Sequence, residues 1–313
     1  MKLATFTHGS DLERLGLVDG DHVIDLALAG DGAAHFTSML AFIEAGDAAL
    51  AAADASRKSA GNAARLPLAD VTLRAPIRSS TILCSGSNYH AHNAEKADSP
   101  LSGKEPEFFV KTADCVIGPD EPIRHDPRLS TKIDCETELA VVIGKPGRFI
   151  AEEDALDHVF GYTIVNDVTA RDRQVRRSPE GLTWYELGRG KAFDTSAPTG
   201  PVIVTADEIP DPQALHLSTR INGDLRQSSS TGDMIWGCAA LIHFFSTNFT
   251  LKPGMMIITG TPAGTAWSVD KDLGGHWTPA QGLVAATRYC EPGDVVESEI
   301  AEIGVLRNPI EAA

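Results

Sequence analysis

The sequence predicts a mixed, mainly β protein with a small α+β domain at its N-terminus. Three observations predict it. From Ile82 onward, short apolar runs alternate with Gly- and Pro-rich breaks, as strands and turns do. Asp19-Gly20 and Asn222-Gly223 each sit between strand-like runs and read as hairpin turns. Met39 to Ala55 is Ala-rich with helical spacing, and it lies inside the first 75 residues.

Residues 2–6 and the stretch from Arg14 to Leu26 are read as short strands, the latter folded at Asp19-Gly20. The helix at Met39–Ala55 is followed by the polar, small-residue stretch Ser56 to Arg65, read as a linker. This places the small domain at 1–75 and a larger one at 76–313. In the larger part, Leu139–Ile143, Tyr162–Val165, Val202–Val204 and Met256–Thr259 are strand candidates. Leu215–Ile221 alternates in polarity and suits a half-exposed strand. Asp233 to Asn248 carries apolar residues at Ile235, Ala239, Ile242 and Phe245, which predicts a helix capped by Thr231 or Asp233.

Composition narrows the function. The 313 residues hold 43 acidic and 27 basic side chains, a net charge of −16. That balance argues against nucleic acid or an anionic membrane as a partner. A small anionic substrate remains compatible with it, because a local cluster of cations can reverse the field. Five scattered cysteines without a CxxC pair read as reduced thiols, and no N-terminal signal or membrane span is expected. The expected location is cytoplasmic.

Charged residues set into apolar strands carry the functional signal. Asp134, Glu136 and Glu138 alternate directly before the apolar run Leu139–Ile143, so one continuous strand would point all three the same way. The bland alternative is a solvated edge, but the run that follows reads as buried on both faces. Buried anions need partners, and oxygen ligands with no nearby His or Cys favour Mg²⁺, Mn²⁺ or Ca²⁺ over Zn²⁺. Asp167 ends a second apolar strand, where it is read as a ligand, a helix cap or both, since the two roles are compatible. His92 and Glu95 are three apart and would meet on a helical turn, as a general base and its orienter or as ordinary surface residues. Lys191 is either a site cation or a solvated lysine. The run Thr259 to Gly264 offers hydroxyls and backbone N–H groups to a carboxylate, or forms a tight turn.

Taken in order, these segments resemble the fumarylacetoacetate hydrolase family over nearly the whole chain. The matching stretches are Arg14–Asp21, Ser87-Asn88-Tyr89 with His92 and Glu95, Asp134–Gly144, Gly161–Gln174, Gly190–Asp194 and Thr259–Gly264. The resemblance implies a β-roll catalytic domain of several sheets, usually in a homodimer. It implies Mg²⁺, or Mn²⁺ in its place, held by Glu136, Glu138 and Asp167, with Asp134 behind them. It implies His92 and Glu95 as a water-activating pair and Lys191 as the electrophilic group. Arg171, Gln174, Tyr89 and Thr261 would contact the substrate.

The activity so implied is hydrolysis of a C–C bond in an acylpyruvate, as in aromatic catabolism, giving pyruvate and a carboxylic acid. The alternatives on the same metal-enolate site are decarboxylation of an oxaloacetate-type acid, and isomerisation or hydration of a 2-hydroxy-dienoate. A non-catalytic scaffold is disfavoured by the retained His92, Glu95 and Lys191. The chain departs from the family pattern at Cys135, Met255 and Thr265-Ala266-Trp267, and in the stretch Arg176–Arg189.

Overall fold

In the computed structural model, residues 1–29, 34–95 and 105–313 are described. The strand Thr137–Ile143 is buried at every position, and it forms the middle of the fold. Val159–Asn166 pairs with it antiparallel on one side and Met256–Ile258 on the other. These strands belong to a twelve-stranded sheet. A separate five-stranded sheet contains the hairpin His216–Ile221/Asp224–Ser230 and the strands Val295–Ile300 and Gly304–Ala312. The architecture is mostly β with several sheets and few helices, as the sequence predicts. No described helix is long and apolar enough to cross a membrane.

Both hairpin turns form where expected. Asn222 and Gly223 take φ of 54° and 85°, the left-handed pair that a two-residue turn requires. The N-terminal strand Lys2–Thr7 pairs with Ala197–Thr205, so the first strands extend the large sheet.

Four expectations are corrected. The Met39–Ala55 helix is two helices, Met39–Ala45 and Asp47–Ser59, broken at Gly46 with φ of 55°. The presumed linker Ser56–Arg65 continues the second helix to Ser59 and then enters the strand Arg65–Pro67. Asp54 stabilises that last turn by accepting from Arg57 at 2.9 Å and Lys58 at 2.5 Å. The Asp233–Asn248 helix begins only at Cys238, because Thr231–Asp233 is a separate turn capped by Ser230. Between them, the Ile235 and Trp236 N–H groups donate to Asn88, which holds the segment extended. Last, Asp134 and Glu138 do not share one strand. Ile133–Asp134 pairs with Thr169–Ala170, and the large-sheet strand starts at Thr137.

Asp294 anchors the Asn222-Gly223 turn. Its carboxylate accepts from both Arg288 Nη atoms at 2.7 and 2.8 Å and from Asn222 Nδ2 at 2.7 Å. The Arg288 hydrogen bonds hold its pKa down at about 2. A lowered carboxyl pKa contributes stability above the unfolded value that is lost as pH falls through the folded one. Between pH 4 and 2 the wild type should therefore lose about 1 kcal/mol more than Asp294→Asn, a modest figure because Arg288 is half exposed. Urea midpoints measured at both pH values check this, and parallel losses in the two proteins would refute it.

Candidate active site

The register of the central strands assembles the site. Thr137 lies opposite Asn166 and Glu138 opposite Val165, which brings Glu136 and Asp167 together at the strand ends. Asn166 Oδ1 accepts from the Glu136 N–H at 2.9 Å, and the Asp167 N–H donates to the Glu136 carbonyl at 2.8 Å. Glu136, Glu138 and Asp167 are all buried, and each offers an oxygen within 4.8 Å of the other two. Such a donor set fits a hard divalent cation, which neutralises several buried carboxylates at once.

Three buried cations, Lys191, Arg171 and Lys111, contact the triad. Lys191 Nζ donates to Glu136 Oε2 at 2.5 Å and to Asp167 Oδ2 at 2.6 Å. Burial disfavours its charge, but Asp167 and Glu136 outweigh that and raise its pKa to about 12. Arg171 donates through Nη2 to Glu136 and through Nε to Asp134 Oδ2 at 2.8 Å, and its Cζ lies over the Trp267 ring, 4.9 Å from the centroid. Burial would raise the Glu136 pKa, yet Arg171 and Lys191 hold it well below the usual range. Glu138 shifts the other way: burial, then the Asp167 and Glu136 charges, push it well above.

Asp134 is not part of the triad. It accepts from Arg171 and from the Ala266 and Trp267 N–H groups at 2.9 and 3.1 Å. Asp167 is no helix cap, since the short helix Arg171–Gln174 starts four residues later with Ala170 at its cap.

His92 and Glu95 meet as their spacing predicts. The helix His90–Asn93 carries His92, whose Nδ1 lies 2.6 Å from Glu95 Oε2. Burial pushes the Glu95 pKa up to about 8, against hydrogen bonds from the Gly264 N–H and Thr265. The loop is fixed by Asn88, whose Nδ2 donates to the Trp236 and Thr259 carbonyls at 2.9 and 2.7 Å.

His92, the acidic triad, Arg171 and Lys191 line one cavity, together with Gln174 and Thr261, that spans about 350 Å³ counting its open mouth. Gln174 Oε1 accepts from Arg171 Nη1 at 3.0 Å, and Thr261 donates to the Thr137 carbonyl at 3.1 Å. Tyr89 does not line this cavity. Its ring is buried and its backbone bridges Met234.

Lys111 is the residue that sequence reasoning missed. It is fully buried on the strand Glu107–Thr112, and its Nζ lies 2.8 Å from Asp167 Oδ1. It also donates to the Lys191 carbonyl and to the Ser196 carbonyl and hydroxyl. The signal was present as a lone lysine after Phe108-Phe109-Val110. Gln227 was missed as well. It is buried and donates to Thr261 Oγ1 at 2.9 Å.

Fold and site thus define a mainly β enzyme with a buried, oxygen-lined site suited to a divalent cation. The chain belongs to the fumarylacetoacetate hydrolase family: the family described as fumarylacetoacetate (FAA) hydrolase C-terminal matches residues 81–311. It is 40% identical to oxaloacetate tautomerase fahd2, mitochondrial, of Xenopus laevis over 99% of this chain and 90% of that protein. Oxaloacetate tautomerase YisK of Bacillus subtilis is also 40% identical, over 78% of this chain and 74% of that protein. The solved maleylpyruvate hydrolase of Sphingobium sp. SYK-6, in complex with manganese(II) and pyruvate, aligns over the full length of both chains with a TM-score of 0.75 and 30% identity.

Mn²⁺ should raise the melting temperature of this chain by roughly 4–8 °C at a hundredfold excess over its Kd. Asp167→Asn and Glu138→Gln should each abolish most of that rise. An unchanged rise in both variants would place the cation elsewhere.

Proposed function

We propose that this chain interconverts the enol and keto forms of a small 2-oxo dicarboxylate, with oxaloacetate as the first candidate. The observation that carries this reading is the buried His92–Glu95 pair opening on the same cavity as the acidic triad. Identity of 40% to two oxaloacetate tautomerases supports the choice of substrate.

Tautomerisation moves one proton between a carbon and an oxygen while the rest of the molecule stays in place. A divalent ion on Glu136, Glu138 and Asp167 would polarise the 2-oxo oxygen and stabilise the enolate charge there. Arg171 and Lys191 supply fixed positive charge for the substrate's carboxylates. His92 is the proton carrier at the substrate's C3. Glu95 fixes the ring through Nδ1, and its raised pKa lets the pair share a proton near neutral pH. Gln174 and Thr261 orient the bound acid. Mg²⁺ or Mn²⁺ suits the donor set equally on this reading.

The same pair supports a second reading, hydrolysis of the C–C bond of an acylpyruvate, in which His92 would activate water. The likeness to maleylpyruvate hydrolase favours it. Decarboxylation of oxaloacetate would need only the metal-enolate part of the site.

One assay separates the three. Enol oxaloacetate and acetylpyruvate are each supplied with Mn²⁺, and enol absorbance, pyruvate, acetate and CO₂ are followed. The expected result is fast decay of enol oxaloacetate with no stoichiometric pyruvate, and a rate at least about 100-fold lower in His92→Ala. Pyruvate with acetate from acetylpyruvate, at comparable kcat/KM, would replace this reading by hydrolysis. Pyruvate with CO₂ from oxaloacetate would replace it by decarboxylation.

A further inference from the structure

A second polar cleft lies behind the active-site loop. It is lined by Asn222, Arg226, Ala266, Arg288, Tyr289 and Asp294 among others, and spans about 430 Å³ counting its open mouth. It shares no lining residue with the metal cavity.

Arg226 is the unusual feature of this cleft. Only 8% of its surface is exposed, so the residue is more than nine-tenths buried. Its Nε has no hydrogen-bond partner, and it forms no ion pair among the described residues. Other strongly buried cations of the chain are ion-paired: Arg171 with Asp134 and Glu136, Lys191 with Glu136 and Asp167, Lys111 with Asp167.

The backbone explains how Arg226 comes to face inward. On the hairpin, Thr219 pairs with Gln227 and Arg220 with Leu225, so Arg226 is the extra residue of a β-bulge. A regular strand would turn Arg226 and Gln227 to opposite faces, whereas here both are buried. The bulge thus sends Gln227 to the active-site threonines and Arg226 to the cleft.

The nearby acids do not neutralise it. Asp294 is already held by Arg288, Asn222 and the Glu291 N–H. Asp224 is exposed and forms no ion pair with Arg226 among the described residues. A buried cation without a counter-charge is costly, and a planar guanidinium with open donors matches a carboxylate or phosphate in fork geometry.

We propose that the Arg226 cleft binds a small oxyanion, a carboxylate or inorganic phosphate, at a site separate from the metal cavity. The site lies against the loop that serves the active site. Ala266 lines the cleft, while its N–H donates to Asp134. Gly264 packs so tightly on the Arg226 carbonyl that a Cβ there would come within 1.9 Å of it.

Calorimetric titration of the full chain tests this, with inorganic phosphate and with acetate in separate runs, each with and without Mn²⁺. The wild type should bind one anion per chain. Affinity should fall at least about tenfold in Arg226→Gln and less in Arg226→Lys, in both metal states. Turnover measured without added anion should be the same in wild type and both variants. Binding of phosphate alone or of acetate alone supports the site and identifies which oxyanion it takes. Equal binding by wild type and Arg226→Gln, or no binding of either anion by wild type below about 10 mM, overturns the proposal. A change of sedimenting mass in Arg226→Gln overturns it too, because the guanidinium would then serve a contact between copies.

Discussion

The placement of fixed charge inside an apolar sheet is the constraint on which the site depends. Asp134, Glu136, Glu138 and Asp167 are buried with little access to bulk water, and three buried cations face them. Breaking any such pair strands a charge in a poor dielectric, so the strands that carry the partners are locked in register. The cations are shared unevenly. Glu136 has two, Asp167 two and Asp134 one. Glu138 has none within ion-pair distance among the described residues and accepts only from the Gly260 N–H at 2.7 Å. The cluster is therefore one positive charge short at Glu138, where the three carboxylates converge.

A second economy is visible at the His92 side. Glu95 is oriented by backbone, through the Gly264 N–H, as well as by side chains. Gly264 sits at φ of 115°, which a side chain would not tolerate. One glycine thereby aims a hydrogen-bond donor at Glu95 and lets the loop close on the bulged hairpin. The acid-base pair and the distal cleft meet at the same short stretch of chain.

Much of this was legible in the sequence, for identifiable reasons. Glu136, Glu138 and Asp167 stand out because carboxylates interrupt apolar runs, and a spacing of three brings His92 to Glu95 on a single helical turn. The break at Cys135-Glu136 was not legible. Alternation alone made Asp134 equivalent to Glu136, and only the pairing of Ile133–Asp134 with Thr169–Ala170 separates their partners. Lys111 escaped because a lone lysine in a strand usually snorkels to water, and its burial depends on Asp167, 56 positions away. The helix ends were misplaced for a similar reason. Gly46 breaks a stretch that reads as one helix, and Asn88 claims the N–H groups of Ile235 and Trp236 before the later helix can begin.

The Asn88 clamp has a consequence for how the molecule is made. Its side chain and carbonyl bind segments 148 and 171 positions further along. On a ribosome, the His92 turn emerges long before Trp236 or Thr259 exists to hold it. Local order in that turn costs conformational entropy that only these distant contacts repay. The acid-base geometry is thus a late product of synthesis, and a nascent chain that stops short of Thr259 carries every ligand of the triad yet no fixed His92.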